Sequence, residues 1–428
     1  MTASSVLTRT TAALAVAQVL LEQDPLEQAL AGQRGYADLE GRDRAFSRAI
    51  VATTFRRLGQ VDAVLKPFLR KTPPPDVHAA LRTATAQMVF MDVAPHAVVG
   101  DTVNVMRALG RDGFANMTNA VLRKVATDGK RLAANVAPKQ NLPGWLRGAW
   151  ERAYGQPAMR RTAAQFLKPP PLDLSVKSDP QGWAERLGGQ VLPTGTVRLP
   201  TIGDITALDG FESGEWWAQD IAASLPVKMM DIGPGMRVLD MCAAPGGKTL
   251  QLAALGAEVT AVDVSGARLE RLRENLARTK LDATVVEADA LQWEPDAPFD
   301  AVLLDAPCSA TGTMRRHPDV LHNKTPKTVS VLSRLQRKLA ARATGWVRPG
   351  GQLLYAVCSL QPEEGERQLP QLLEDLPAFR LNPNLTAMMS SLPEDILSGG
   401  VLRSMPHHLG PLGGMDGFYA ARLERVGD

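Results

Sequence analysis

From about residue 231 onward, short apolar runs alternate with amphipathic stretches, and most of the apolar runs close on an acid or a cysteine. "RVLDMC" reads as a buried strand, "KTLQLAALG" as a helix closed by glycine, and "EVTAVDV" as a second strand. There follow "ARLERLRENLART" (helix), "ATVVEAD" (strand), "FDAVLLDAP" (strand), a long helix through "SRLQRKLAARATGWV", and the strand "GQLLYAVCS". Alternation of this kind predicts a doubly wound parallel sheet. Such sheets bind ligands at the carboxyl ends of their strands. Asp240, Asp263, Asp289 and Asp305 fall at or just after four successive strand ends, and Cys242, Cys308 and Cys358 fall at strand ends as well. A single acid of this kind is usually a helix N-cap. Four in succession point to a ligand.

"CAAPGGKT", residues 242–249, ends like a phosphate-binding loop but is not one. The pattern G-x-x-x-x-G-K-[ST] needs glycine at its first position, and Cys242 stands there. The G-x-G-x-x-G pattern of dinucleotide sites is missing too, which counts against NAD or FAD. Asp263, at the second strand end, is where an acid hydrogen-bonds both hydroxyls of a ribose. Asp289, one strand further on, is placed to accept from an adenine amino group. A ribose acid and an adenine acid without a pyrophosphate loop point to S-adenosylmethionine.

"DAPCSATG", 305–312, follows the fourth strand and sets the carboxylate Asp305 and the thiol Cys308 beside a stiffening proline. "YAVCS", 355–359, ends the neighbouring strand with Cys358. A lone cysteine is usually a small buried hydrophobe. Two that converge on one pocket, with an acid between them, fit methylation of a pyrimidine at C5. That carbon is too weakly nucleophilic to attack a sulfonium unaided. A thiolate adding to C6 makes C5 enamine-like, and expulsion of the thiol closes the cycle. Asp305 would hydrogen-bond the ring near N3. Spacing alone does not rank the two thiols.

The front of the chain is different. Residues 1–140 read as six or seven helices, with "TPPPDVH" separating two of them and cations clustered near Arg123 and Lys124. Residues 141–230 read as a small α+β connector: "LPGWLRGAWERAYG" as a short amphipathic helix, "FLKPPPLDLSVK" as a proline break into a strand. Residues 1–168 hold 23 Lys and Arg against 13 Asp and Glu, whereas the remainder holds 25 against 32. A basic front on a mildly acidic back fits a polyanion-binding module joined to something else. Arg9 and "TTAALAVAQVL" imitate a signal peptide, but Gln18 and Glu22 interrupt the run, and we read a first helix. No apolar run approaches a membrane-spanning length. Three scattered cysteines and six histidines without ligand spacing argue for a reducing compartment and against a structural metal.

Taken together, Cys242–Thr249, Asp305–Ser309 and Tyr355–Leu360 resemble, in order and spacing, the motifs of the RNA cytosine-C5 methyltransferases. "MRRHPD" (314–319), "QPEEGE" (361–366) and "MDGFYAARL" (415–423) are similar to further blocks of that family, and "ANMTNAVLRK" resembles the signature helix of a NusB-like domain. The likeness is to the bacterial RsmB (Fmu, Sun) type, which methylates small-subunit (16S) ribosomal RNA. It implies an all-α NusB-like RNA-binding domain over 1–140, a connector over 141–230, and a Rossmann-like class I methyltransferase domain over 231–428. It further implies that Cys358 is the nucleophile, that Cys308 helps release the product, and that Asp305 acts with them. The S-adenosylmethionine site would comprise Cys242, Ala243, Ala244, Pro245, Gly246, Gly247, Lys248, Asp263, Asp289 and Asp305, with no metal.

Two positions depart from the family pattern: Val357, where threonine is common before the nucleophile, and Ala310, where some members have glycine. Arg315 and Arg316 are candidates for RNA phosphates. The expected partner is small-subunit ribosomal RNA, free or in an early assembly intermediate, met by a cytoplasmic monomer with no membrane contact. Transfer RNA is the competing substrate, and an RNA-binding factor with an inactive pocket is the competing class. Retention of Cys308, Cys358 and Asp305 argues against the latter.

Overall fold

The structure, a computed structural model, describes residues 3–200, 203–384, 389 and 391–427. They form two compact units, Met1–Lys168 with Met314–Lys324, and Pro169–Thr313 with Thr325–Asp428.

The first unit is helical: α1 (Ala3–Glu22), α2 (Leu26–Ala31), α3 (Gly41–Arg56), α4 (Leu58–Leu65), α5 (Pro75–Phe90), α6 (Pro95–Ala108), α7 (Ala115–Ala134) and α8 (Gly144–Phe166). Pro75 and Pro95 open their helices, where the missing N–H costs nothing. Apolar residues at three- and four-residue spacing bury Ala12, Val16 and Val19 of α1 against Ile50, Val51 and Phe55 of α3. The expectation that no apolar run reaches spanning length is corrected here. Ser4–Glu22 is long and apolar enough by composition, and half of it is buried within the fold. The "short" helix after residue 141 is also longer than expected. It runs to Phe166 as α8 because the chain resumes helix after a kink at Gly155 (φ 78°), two residues before Pro157, burying Met159, Ala163 and Phe166.

Residues 314–324 belong to this unit. Asp319 accepts from the Leu26 amide at the start of α2 (3.0 Å), Arg56 donates to the Arg315 carbonyl (2.9 Å), and the His322 ring packs on Phe55 at 5.6 Å. Arg315 is completely buried, so the reading of it as a phosphate contact is wrong; Arg316 is exposed.

The second unit begins with an antiparallel sheet. Its strands are β1 (Leu172–Val176), β2 (Gln190–Val191), β3 (Val197–Leu199) and β4 (Trp216–Ala218), ordered β2-β3-β1-β4, with α9 (Pro180–Leu187) between β1 and β2. At its centre Arg198 donates to both Asp173 oxygens (2.6 Å each) and to the carbonyls of Leu412 and Gly414 (2.9 and 2.7 Å). Both side chains are almost fully buried. Breaking such a pair leaves an uncompensated buried charge, so Arg198→Met should cost about 3–5 kcal/mol. For a unit of this size that lowers Tm by roughly 10 °C. Adding Asp173→Leu should restore most of the loss; a single variant that melts with the wild type in circular dichroism refutes this account.

The larger sheet follows. The elements are α10 (Ile221–Met229), β5 (Arg237–Met241), α11 (Gly247–Ala254), β6 (Glu258–Asp263), α12 (Gly266–Thr279), β7 (Thr284–Glu287), β8 (Phe299–Asp305), α13 (Pro326–Gly345) and β9 (Val347–Val357). They continue with α14 (Gln368–Asp375), β10 (Phe379–Leu381), β11 (Leu397–Ser398), β12 (Val401–Ser404) and β13 (Phe418–Arg425). Strand order is β11-β12-β13-β9-β8-β5-β6-β7, with β10 also pairing β13. From β7 to β9 all neighbours are parallel, as expected, and β5, β8 and most of β9 are buried while the edge strand β7 is not. Beyond β9 the sheet turns antiparallel, because β13 returns against it (Ala420↔Ala356) and β12 pairs antiparallel in turn. The sheet is therefore mixed. Strand order reverses between β5 and β8, and the crevice at their carboxyl ends is the switch point where such sheets bind ligands.

Candidate active site

Three neighbouring strand ends, β5, β8 and β9, and the end of β6 beside β5 carry the predicted residues. After β5 the chain turns tightly: Cys242 is left-handed (φ 60°), and Gly246 takes φ 103° before α11 starts at Gly247. A Cβ on Gly246 would meet Leu272 of α12 at 2.1 Å, so only glycine fits the turn. Within the loop, Ala244 donates its amide to Asp263 Oδ2 (3.1 Å), and Ser265 donates to Oδ1 (3.0 Å). Arg268 shields that carboxylate at 3.6 Å and donates to the Ala244 carbonyl. Asp289 follows β7 on the same edge, exposed, with the Leu291 amide on one oxygen (2.9 Å).

The four strand-end acids thus divide. Asp240 lies inside β5, fully buried, accepting from the Thr249 hydroxyl at 2.6 Å, while its second oxygen has no partner among the described residues. Burial raises its carboxyl to about 7. A raised acid stabilises the fold fully below its unfolded value near 4 and loses that contribution as pH climbs to about 7. Asp240→Asn should flatten this slope. The Tm gap between variant and wild type should shift in the variant's favour from pH 4 to pH 7, and parallel curves would refute the assignment.

Lys248 leaves the first turn of α11 with its stem buried and donates to Asp305 Oδ2 at 2.7 Å, its ammonium 4.9 Å from the Phe418 ring. It ties the loop after β5 to the end of β8. Cys308 and Cys358 extend β8 and β9, whose ladder ends at Asp305↔Ala356, and their sulfurs are 3.4 Å apart. Its hydrogen bond to Cys358, then burial, push the Cys308 thiol well up, which favours the protonated form of Cys308. Burial, with Asp263 and Asp305, pushes Cys242 to about 12, the environment of an inert wall residue.

The sequence reading gave no role to Glu364. It is fully buried and accepts from the Ser309 amide (2.9 Å) and Gln336 (3.1 Å) on one oxygen, and from the Ser309 and Ser359 hydroxyls (2.5 Å each) on the other. The signal was present as a repeated Cys-Ser pair, Cys308-Ser309 and Cys358-Ser359. Among the described residues no group of His, Cys, Asp or Glu is arranged to hold a metal ion.

Residues 227–424 match the family described as 16S rRNA methyltransferase RsmB/F, and residues 7–127 match the NusB family. The chain is 33% identical over 446 aligned positions to ribosomal RNA small subunit methyltransferase B of Pseudomonas syringae pv. tomato, covering 98% of this chain and 97% of that one. It is 37% identical to the protein of the same name from Xanthomonas campestris pv. campestris, over 78% of this chain and 80% of that one. In fold it is similar to the crystal structure of PH0851 (TM-score 0.77, 24% identity, 99% of each chain).

Proposed function

Because the chain belongs to the RsmB/F family of 16S ribosomal RNA methyltransferases and carries a NusB-family domain in front, we propose that it methylates C5 of one cytosine in small-subunit ribosomal RNA through a covalent Cys358–C6 adduct. The observation that carries this reading is the pair of sulfurs 3.4 Å apart beside the Lys248–Asp305 ion pair. Acyl or phosphoryl transfer has no use for a second thiol that keeps its proton. Addition to a pyrimidine and later expulsion does.

The residues fit S-adenosylmethionine. Each Asp263 oxygen accepts one amide and retains a lone pair for a ribose hydroxyl once Arg268 swings aside. Ala243, Ala244, Pro245, Gly246 and Gly247 keep the loop small, Cys242 forms its wall, and Asp289 is exposed for an adenine amino group. When bound, the cofactor supplies the methyl group; the rest is the work of this chain. Cys358 attacks C6 of an unstacked base. Asp305, ion-paired with Lys248, accepts from the exocyclic amino group beside N3, and the Lys248 ammonium offsets the charge that addition places on the ring. The C5 proton then passes to solvent water, the C6–S bond breaks with its electron pair leaving on sulfur, and Cys308 donates a hydrogen bond to the departing Cys358 thiolate.

The helical front, with its cationic excess, would hold the RNA by charge and shape, and residues 141–230 would act as connector. This reading puts a monomer in the cytoplasm, acting on free RNA or an early assembly intermediate. The test is transfer of labelled methyl from S-adenosylmethionine to unmodified small-subunit RNA. Label at one cytosine C5 is expected; label on transfer RNA alone, or on no RNA, overturns the substrate.

A further inference from the structure

We propose that Glu364 is a positioning residue that holds the two cysteine loops at reacting distance. The proposal rests on the reading above for its purpose, but its geometry stands by itself. Beyond Asp305↔Ala356 the parallel ladder of β8 and β9 stops. Two backbone bonds still join the loops, Ala306 to the Ala356 carbonyl (2.9 Å) and Gly312 to the Cys358 carbonyl (3.0 Å). Neither engages the side chains of the residues after the thiols, and Arg403 on the Ser359 carbonyl (2.6 Å) and Thr311 on the Leu360 amide (3.0 Å) hold only the β9 loop's backbone.

Ser309, next to Cys308, gives Glu364 both its amide and its hydroxyl, and Ser359, next to Cys358, gives its hydroxyl. One carboxylate therefore grips the residue after each thiol. The fourth donor, Gln336 of α13, also donates to the carbonyl of Pro307 (2.9 Å), so the residue before Cys308 is held through the same group. Gln336 is itself oriented, since its oxygen accepts from Gln368 (3.1 Å). The Glu364 backbone is anchored apart from the thiols, through the Tyr355 hydroxyl on its carbonyl (2.7 Å) and its own amide on Gln361 (3.0 Å). A carboxylate merely satisfied in a core has no reason to spend three of four bonds on residues that neighbour two thiols. Fully buried, these bonds are also undiluted by water.

The test reads sulfur proximity directly. Diamide oxidises two neighbouring thiols to a disulfide while being reduced itself, and mass spectrometry of the joined peptides follows the Cys308–Cys358 bond. Glu364→Ala should slow its formation about tenfold, the factor lost with one hydrogen bond to a charged group. Glu364→Gln keeps the shape but offers a single acceptor oxygen, and should lower kcat by about 100-fold, the cost of a small misplacement of reacting groups. The KM for S-adenosylmethionine should not move, because the cofactor loop follows β5. If these variants fail to fold, Ser359→Ala removes one grip and should shift both readouts the same way. An unchanged diamide rate overturns the proposal, as does a kcat loss matched by lost cofactor affinity and Tm. A clamp-dependent diamide rate in an enzyme that does not methylate cytosine C5 supports the clamp and sinks the reaction assigned above.

Discussion

Cys358→Ala should abolish methyl transfer to small-subunit RNA, by about 10⁴-fold or more, while S-adenosylmethionine still binds. No other thiol in the chain is placed to replace it. Cys242 is pushed to about 12 by burial and three nearby carboxylates, so almost none of it is thiolate at neutral pH. Cys308 is 3.4 Å away, but its hydrogen bond to Cys358 and burial push its thiol well up, which disfavours its thiolate. Cofactor binding should survive because Ala244, Asp263 and Asp289 make their hydrogen bonds without the β9 loop. Labelled methyl transfer measured beside calorimetry of cofactor binding checks both halves. Label persisting in the variant would make Cys308 the nucleophile.

How much of this the sequence disclosed depended on the range of the interaction concerned. Strand–helix alternation and strand-end acids are local patterns, so the parallel core and a ligand site at the strands' carboxyl ends are readable, whereas the crevice between β5 and β8 needs the strand order. Asp240 was grouped with Asp263 because both end apolar runs. Only the fold shows that Asp240 lies one residue inside β5 and spends its carboxylate on Thr249. Arg315 reads as a phosphate contact beside Arg316 in "MRRHPD", yet its stretch belongs to the helical unit and buries it. The antiparallel edge of the sheet was not legible, since apolar alternation in "FYAARL" carries no direction. Glu364 was hidden for the strongest reason. Its partners lie as far as 55 positions away, and no window along the chain holds the serine, the glutamine and the acid together.

Cys308→Ala should separate addition from release, leaving attack and methyl transfer nearly intact and slowing product departure by about 100-fold or more, the usual worth of a placed proton donor. The asymmetry follows from the geometry. Cys358 needs no proton to add to C6, but it leaves as a thiolate, and Cys308 is the group within hydrogen-bond distance that can stabilise the departing sulfur. Because the Cys308 thiol is pushed well above its ordinary value, it remains a donor through neutral and mildly alkaline pH. The alanine variant should therefore accumulate an RNA–protein adduct that survives denaturing electrophoresis, formed only when S-adenosylmethionine is supplied if methyl transfer is what commits the adduct. The adduct should vanish in the Cys308→Ala, Cys358→Ala double variant. A Cys308→Ala enzyme that turns over freely without trapped RNA would mean that Cys358 departs unaided, and that the 3.4 Å sulfur contact serves packing instead of release.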